Sequence, residues 1–175
     1  MTASLLLSLL IATTTFLPGA NGFVPYQQPK GKYTSLLLSS TPSPSTPAVE
    51  LTTIPGRKPS NDWELDCYSR PVVVAGGKKL WEVLITDSTA SFRFIKTLPS
   101  NQVNSKELRK TVEELMENDK LPKPSTIRFF RGAMFNMINI ALADLDVVAR
   151  PSRCTYAVAQ WLEERHRNVY PTMEG

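Results

Sequence analysis

Three segments after residue 60 have the residue patterns of β-strands. In the first, Trp63, Leu65 and Cys67 alternate with charged and polar side chains, which indicates a half-buried strand. Residues 79–86 and 91–97 form the second and third segments. Because only short turns separate the three, one of them marked by a Gly-Gly pair, we predict an antiparallel meander.

Apolar residues then recur at the spacing of α-helices. Asn104, followed three positions later by Glu107, has the pattern of a helix N-cap. An apolar stripe over residues 108–116 predicts the helix that follows, and a second stripe covers residues 134–145. A third helix is predicted to open at residues 151–152.

Two further strands separate these helices, at residues 125–131 and 147–150. The predicted order is therefore βββαβαβα, which is typical of a mixed sheet with helices packed on its faces. We predict an α/β domain over residues 62–175 with a ribonuclease H-like architecture. Such a fold hosts many activities and indicates no function by itself.

The first 61 residues have the composition of a presequence. An uncharged apolar run followed by Ala20 and Gly22 predicts a signal peptide over residues 1–22, with a membrane anchor as the alternative. Residues 23–61 are rich in Ser, Thr and Pro, which predicts a transit peptide and a flexible linker. This arrangement resembles the bipartite presequence of algae with secondary red plastids. This resemblance implies that the protein is located in the plastid stroma and that the mature protein is not stably inserted in a membrane. The alternative is secretion, with the Ser/Pro-rich segment as a stalk.

Charge and cysteine content narrow the functional classes. Residues 1–61 carry four Lys or Arg and one Asp or Glu, whereas residues 62–175 carry 16 and 15. Nucleic-acid binding by the folded part therefore requires a local basic cluster. Cys67 and Cys154 are too few for a disulfide framework, and we expect two buried thiols. The one histidine, His166, cannot form a His-rich site, and we predict neither a metal nor a cofactor.

Arginines cluster where the fourth and fifth strands end. If these strands are parallel, Arg131 and Arg150 lie at the same edge of the sheet, where ligands of open α/β sheets bind. Arg150 and Arg153 also flank the predicted start of the third helix, where positive charge opposes the helix dipole unless an anion lies between them. Arginine forks bind phosphate with paired hydrogen bonds. The alternatives are solvated arginines or ion pairs with Asp144 or Asp146.

Aromatic residues surround the same region. Tyr156 and Phe135 are expected to be exposed, whereas Trp161 and one of the adjacent Phe129 and Phe130 are expected in the core. An exposed aromatic ring beside arginines suits single-stranded RNA, because its unpaired bases can stack on the ring.

A metal-dependent nuclease is a further alternative. It requires several carboxylates around paired divalent ions. Asp66, with Glu107 or Glu113, supplies part of such a set, but the fourth strand ends in an arginine where another acid is needed. Because the set is incomplete, we do not expect an enzyme.

Several strings between residue 63 and the C-terminus resemble one family, the plastid RNA-binding translation factors known as translation activators of the photosystem I subunit PsaB. They include residues 63–66 (WELD), 68–71 (YSRP), 79–82 (KLWE), 127–131 (IRFFR), 149–153 (ARPSR) and 161–165 (WLEER). The resemblance implies a stromal protein that is not an enzyme. It also implies binding of A/U-rich single-stranded RNA, work beside the plastid translation machinery on photosystem reaction-centre messages, and a role in thylakoid biogenesis. Members of the family continue into a second domain beyond the part that resembles this chain.

The leading hypothesis is therefore an RNA-binding accessory factor for plastid translation. We predict a phosphate clamp with base stacking, formed by Arg128, Arg131, Arg150, Arg153 and Tyr156. A protein–protein module of the same gene-expression machinery is the alternative, and an exposed apolar patch without a positive rim would favour it.

Overall fold

The computed structural model describes residues 48–74 and 76–173. The predicted signal peptide, and the predicted transit segment as far as residue 47, lie outside the described residues. Within these two ranges, no helix combines the length and the apolar character needed to cross a bilayer.

Six strands form one mixed sheet. They are β1 (Val49–Thr53), β2 (Asp62–Val74), β3 (Lys78–Asp87), β4 (Phe92–Leu98), β5 (Thr126–Phe129) and β6 (Val148–Pro151). Their order across the sheet is β1-β4-β3-β2-β5-β6. The pairs among the first four strands are antiparallel, whereas β2 with β5 and β5 with β6 are parallel. The predicted meander and the α/β class with a mixed sheet are confirmed, but β1 lies where the sequence predicted a flexible linker.

In the described part of the chain, three α-helices connect and cover the strands: α1 (Ser105–Met116), α2 (Phe135–Leu142) and α3 (Tyr156–Asn168). The side chain of Asn104 caps α1 as predicted, because its Oδ1 accepts a hydrogen bond from the Glu107 backbone N–H over 2.9 Å. The predicted start of the third helix at residues 151–152 is wrong. Pro151 ends β6, and a short loop separates it from α3.

The larger core lies between one face of the sheet and helices α1 and α2. Inward residues of β2, β3, β4 and β5 pack there against the buried stripe of α1 and the buried end of α2. The fully buried members include Trp63, Leu65, Ile85, Phe92, Leu108, Val112, Ile127, Phe129, Ile138 and Leu142.

The opposite face of the sheet is covered by α3. Val158 and Trp161 of this helix pack against Leu84, which lies on the central strand β3. Glu64 and Asp66, the polar residues of β2, therefore lie beneath a helix and are 1% and 7% exposed. The prediction that β2 is half-buried is wrong, whereas the burial of Trp161 is as predicted.

The two cysteines lie in contrasting environments. Cys67 is 2% exposed on β2, and burial, assisted by the negative charge of Asp66, raises its pKa to about 12. Cys154 lies in the loop before α3 and is exposed. The expectation of a buried thiol is confirmed for Cys67 and wrong for Cys154.

Alkylation of the native chain by iodoacetamide at pH 8 should be selective for Cys154. With a pKa near 12, only about one Cys67 side chain in 10,000 is a thiolate at that pH, and thiolate is the reactive form. We expect Cys154 to react at least about 100-fold faster, as measured by mass spectrometry of the two cysteine peptides. In urea both should react alike; equal rates in the native chain would contradict the prediction.

Candidate functional site

The carboxyl ends of β5 and β6 lie together at one edge of the sheet. The strands are parallel, with Arg128 beside Arg150 and Phe129 beside Pro151. The chain leaving β6 stays close to β5, because the backbone N–H of Ser152 donates to the Phe129 carbonyl over 2.9 Å. The parallel pairing from which the arginine site was predicted is therefore confirmed, and this is the edge where open α/β sheets bind ligands.

Arg128 uses its guanidinium group inside the protein. Its Nη2 lies 2.9 Å from Asp62 Oδ2 and 3.1 Å from Glu64 Oε1, and only 15% of the side chain is exposed. Arg128 also donates a hydrogen bond to the backbone carbonyl of Cys154. It therefore fixes the loop that carries Arg153, and most of its donors are already bound.

Arg131 is shared between an internal carboxylate and the surface. Its Nε donates to Asp66 Oδ1 over 2.7 Å. Its guanidinium carbon lies 4.2 Å from the centre of the Tyr68 ring, in a cation–π contact. Because 29% of the side chain is exposed, part of Arg131 remains accessible to a ligand.

Arg150 and Arg153 are exposed. Among the described residues, neither arginine forms an ion pair. Asp144, considered above as a partner, instead pairs with Arg109. These two arginines are therefore the positive groups of the predicted set that face solvent.

Two exposed aromatic side chains flank these arginines in the chain. Tyr156 is 73% exposed at the start of α3, and Phe130 is 60% exposed just beyond β5. The neighbouring Cys154 side chain raises the pKa of Tyr156. A tyrosine phenol is neutral at pH 7 even without such a shift, so it does not repel a phosphate. Both rings are therefore available for stacking on bases.

Phe130 is the residue of this surface that the sequence did not single out. Only one of the two adjacent phenylalanines was expected to be buried, without a choice between them. The strand period supplies the choice, because Ile127 and Phe129 share the buried face of β5 and Phe130 follows them. Phe135, expected to be exposed, is 39% exposed, and its ring centre lies 6.0 Å from that of Phe129.

The N-terminus of α3 is bound by a carboxylate of the protein itself. Oε2 of Glu64 accepts a hydrogen bond from the Val158 backbone N–H over 2.8 Å, and Arg128 pairs with the same carboxylate. Burial raises the pKa of Glu64, and these two favourable contacts oppose that rise. The positive end of the helix dipole is thus partly satisfied from within, so a phosphate at this edge would depend on the exposed arginines.

A network of charges is buried between β2, β3 and α3. Glu82, which is 1% exposed, accepts hydrogen bonds from Arg70 Nε at 3.1 Å, Arg165 Nη2 at 2.6 Å and Tyr170 Oη at 2.6 Å. Arg70 also contacts Asp66 at 2.9 Å. Burial lowers the pKa of Arg70, but Asp66 and the other acidic groups outweigh it, so the net shift is upward. The guanidinium group of Arg70 is therefore held in its charged form.

The carboxylates considered for a nuclease do not converge. Asp66 pairs with Arg70 and Arg131 on the α3 side of the sheet. Glu107 lies on α1, on the other side, where it pairs with Lys96 at 2.8 Å. In residues 48–74 and 76–173 there is no group of three or more His, Cys, Asp or Glu that could hold a metal ion.

Comparison with known proteins gives one family. Residues 62–165 match the family described as RNA-binding protein Tab2/Atab2 N terminal. The chloroplastic TAB2 homolog of Zea mays is 42% identical over 114 residues, which are 65% of this chain and 29% of that protein. The chloroplastic TAB2 homolog of Arabidopsis thaliana is 36% identical over 114 residues, which are 65% of this chain and 30% of that protein. The chain therefore spans less than a third of the length of these relatives.

Among solved structures, one similar chain belongs to the simian T-cell lymphotropic virus intasome in complex with the PP2A regulatory subunit B56 gamma. The alignment covers 70% of this chain and 50% of that one, with 12% identity and a TM-score of 0.43. A similarity of this size is too weak to assign a fold.

Proposed function

Since the chain belongs to the Tab2-like RNA-binding family of plastid proteins, we propose that it binds single-stranded, A/U-rich RNA and supports plastid translation of photosystem reaction-centre messages, including that for PsaB. In this role it contributes to thylakoid biogenesis beside the plastid translation machinery. The proposal contains no catalytic step. The family match over residues 62–165 is the observation that carries it.

The RNA-binding surface in this proposal is the edge where β5 and β6 end. Arg150 and Arg153 contact phosphates there, and their exposure without an ion pair among the described residues supports this role. Arg131 adds the accessible part of its side chain, and Arg128 positions the loop before α3 through the Cys154 carbonyl. Arginine suits this task because its planar fork matches the geometry of a phosphate.

Base contacts in the proposed complex come from stacking. Exposed rings are offered by Phe130, which precedes Arg131 in the chain, and by Tyr156, which follows Arg153. Each stacked base contributes on the order of 1–3 kcal/mol to binding, and stacking tolerates many sequences. In this proposal A/U-rich RNA is preferred because it forms little secondary structure, so its bases are unpaired and free to stack.

We extend the proposal to the architecture, which we take to be of the ribonuclease H type. The order β4-β3-β2-β5-β6 supports it, with antiparallel pairing on one side of β2 and parallel pairing on the other. The edge strand β1 is an addition to that arrangement. Because one fold hosts many functions, this likeness adds nothing to the RNA assignment.

Binding to A/U-rich single-stranded RNA should weaken as salt increases. Each phosphate contact to single-stranded nucleic acid contributes a slope of about −0.7 in a plot of log affinity against log salt. With two or three contacts, affinity should fall roughly 7- to 18-fold between about 50 and 200 mM salt, as measured by fluorescence anisotropy with the 175-residue chain. A G/C-rich RNA of equal length is the specificity control.

The outcomes of this experiment distinguish an RNA-binding protein from a protein–protein module. Salt-independent binding would contradict a phosphate-contacting surface. An absence of RNA binding by the folded chain would favour a protein–protein module, for which the exposed Phe130, Ile140 and Val148 offer apolar area.

A further inference from the structure

Strand β2 continues well beyond the end of its parallel neighbour β5. Only Asp62–Leu65 of β2 pair with β5, although the strand runs to Val74. In the described part of the chain, the later half of β2 therefore has a strand neighbour on its β3 side alone. A cavity of about 530 Å³ lies along this uncovered stretch.

The lining of this cavity is basic. It includes Arg70, Lys79, Arg131 and His166, together with Tyr68 and Ser69. The remaining lining residues are apolar, and no Asp or Glu is among them. An open pocket with several cationic groups and no carboxylate at its surface attracts an anion.

Arg70 provides a donor that the protein leaves unused. The residue is 2% exposed, and its Nε and Nη1 are bound to Glu82 and Asp66. Among the described residues its Nη2 has no hydrogen-bond partner. A buried charged donor without an acceptor is costly, and native proteins satisfy nearly all such groups. Because Arg70 lines the cavity, its charge lies in the wall that a bound anion would face.

The ion-pair network that contains Arg70 carries a net positive charge. The network behind the cavity joins two carboxylates, Asp66 and Glu82, to three guanidinium groups, Arg70, Arg131 and Arg165. One positive charge is therefore in excess before Lys79 is counted.

The wall beside Arg70 suits a nucleotide. Arg131 lies over the ring of Tyr68, with its guanidinium carbon 4.2 Å from the ring centre, and both residues line the cavity. The cavity also adjoins the edge where β5 ends, because Arg131 lies two residues after the last residue of β5. A strand of RNA lying along that edge would thus reach the cavity.

We propose that this cavity is a phosphate-binding pocket, in which Arg70, Arg131 and Lys79 hold a single phosphate group of a nucleotide or of an RNA strand. The pocket adds a second binding site to the proposed RNA-binding function, and this inference rests on that function for the source of the phosphate. The accessible groups of Arg131 and Lys79 donate to the phosphate oxygens, and the buried guanidinium of Arg70 adds positive charge behind them.

Two neighbouring lysines provide the test. Lys78 and Lys79 are both exposed on β3 and point to opposite faces of the strand, and only Lys79 lines the cavity. Lys79→Glu and Lys78→Glu therefore change the net charge equally. Neither lysine belongs to the buried network, so both variants should fold.

The measurement is a titration of the 175-residue chain with inorganic phosphate, uridine 5′-monophosphate and uridine, followed by NMR of the Arg70 and Arg131 side-chain N–H signals. We expect both phosphates to shift these signals and uridine to leave them unchanged. Lys79→Glu should weaken binding about tenfold, because an attractive charge becomes a repulsive one, and Lys78→Glu less than about twofold. RNA oligonucleotides with and without a 5′-phosphate distinguish a terminal from an internal phosphate.

Failure of the pocket and failure of RNA binding give different results. The pocket proposal would be wrong if neither inorganic phosphate nor uridine 5′-monophosphate shifted the Arg70 signals. It would also be wrong if Lys79→Glu and Lys78→Glu weakened phosphate binding equally. Both conclusions hold even if RNA binds at the β5–β6 edge. If the phosphates bind as expected but RNA does not, the pocket stands as a site for free nucleotides and the proposed RNA function fails.

Discussion

Glu82→Gln should lower the free energy of unfolding by about 3 to 5 kcal/mol, the range for removal of one partner of a buried ion pair. The carboxylate of Glu82 is 1% exposed and is shared by Arg70, Arg165 and the hydroxyl of Tyr170. The amide that replaces it carries no charge and turns part of its surface into a donor facing other donors. Two guanidinium groups beneath α3 would then lack their common counter-charge. Urea unfolding followed by circular dichroism measures the change.

Glu163→Gln is the matched control for this variant. Glu163 pairs with Arg167 one helical turn away, and both side chains are more than half exposed. Exposed pairs of this kind contribute about 0.3–0.5 kcal/mol, so the control should unfold almost as the wild type does. If Glu82→Gln costs no more than Glu163→Gln, the buried network is not a major source of stability.

Arg150→Glu with Arg153→Glu should lower the affinity for A/U-rich RNA by at least about 100-fold. Each hydrogen bond to a charged group contributes about 1.5–3 kcal/mol, and the two substitutions remove two such contacts. Neither arginine is buried or forms an ion pair among the described residues, so the fold should be preserved. Fluorescence anisotropy with the 175-residue chain gives the affinity, and the salt dependence should become shallower.

The control for this pair is Lys106→Glu with Lys120→Glu. Both lysines are exposed, and they lie on and just after α1, which covers the other face of the sheet. The change in net charge is identical, so a difference between the two double variants reports position alone. We expect the control to stay within about threefold of the wild type. Equal losses would mean that RNA responds to overall charge and that the β5–β6 edge is not the interface.

The strands and the first helix could be predicted because their signals are local. Trp63, Leu65 and Cys67 fix the buried face of β2 within five residues, and Asn104 lies three residues from the N–H it caps. The start of α3 was misplaced because Pro151 suits the first turn of a helix and also the end of an edge strand.

The burial of the second face of β2 could not be predicted from the alternation of apolar and polar residues. A strand whose polar residues face water and one whose polar residues pair beneath a helix have the same two-residue period. Glu64 and Asp66 are covered because their charges are matched by Arg128 and Arg131, which lie about 65 positions later in the sequence. Periodicity within a short window carries no information on partners at that separation.

The candidate site, too, could be predicted only in part from the sequence. The grouping of arginines at one edge followed from the parallel arrangement of β5 and β6, which the element order predicts. The different environments of these arginines could not be predicted from the element order. Arg128 and Arg131 pair with acidic residues of β2, whereas Arg150 and Arg153 face solvent.

Strand β1 sets a limit on proteolytic maturation. Val49–Thr53 pair with β4 along their whole length, and the chain that follows is fastened to the β3–β4 turn, where the backbone N–H of Ser60 donates to Asp87 over 2.7 Å. Cutting at residue 61 would strip this strand away and leave the hydrogen-bonding groups of β4 as an open edge, which invites aggregation. We therefore expect a processing protease that spares the sheet to cut upstream of Val49, which would leave β1 in the processed chain.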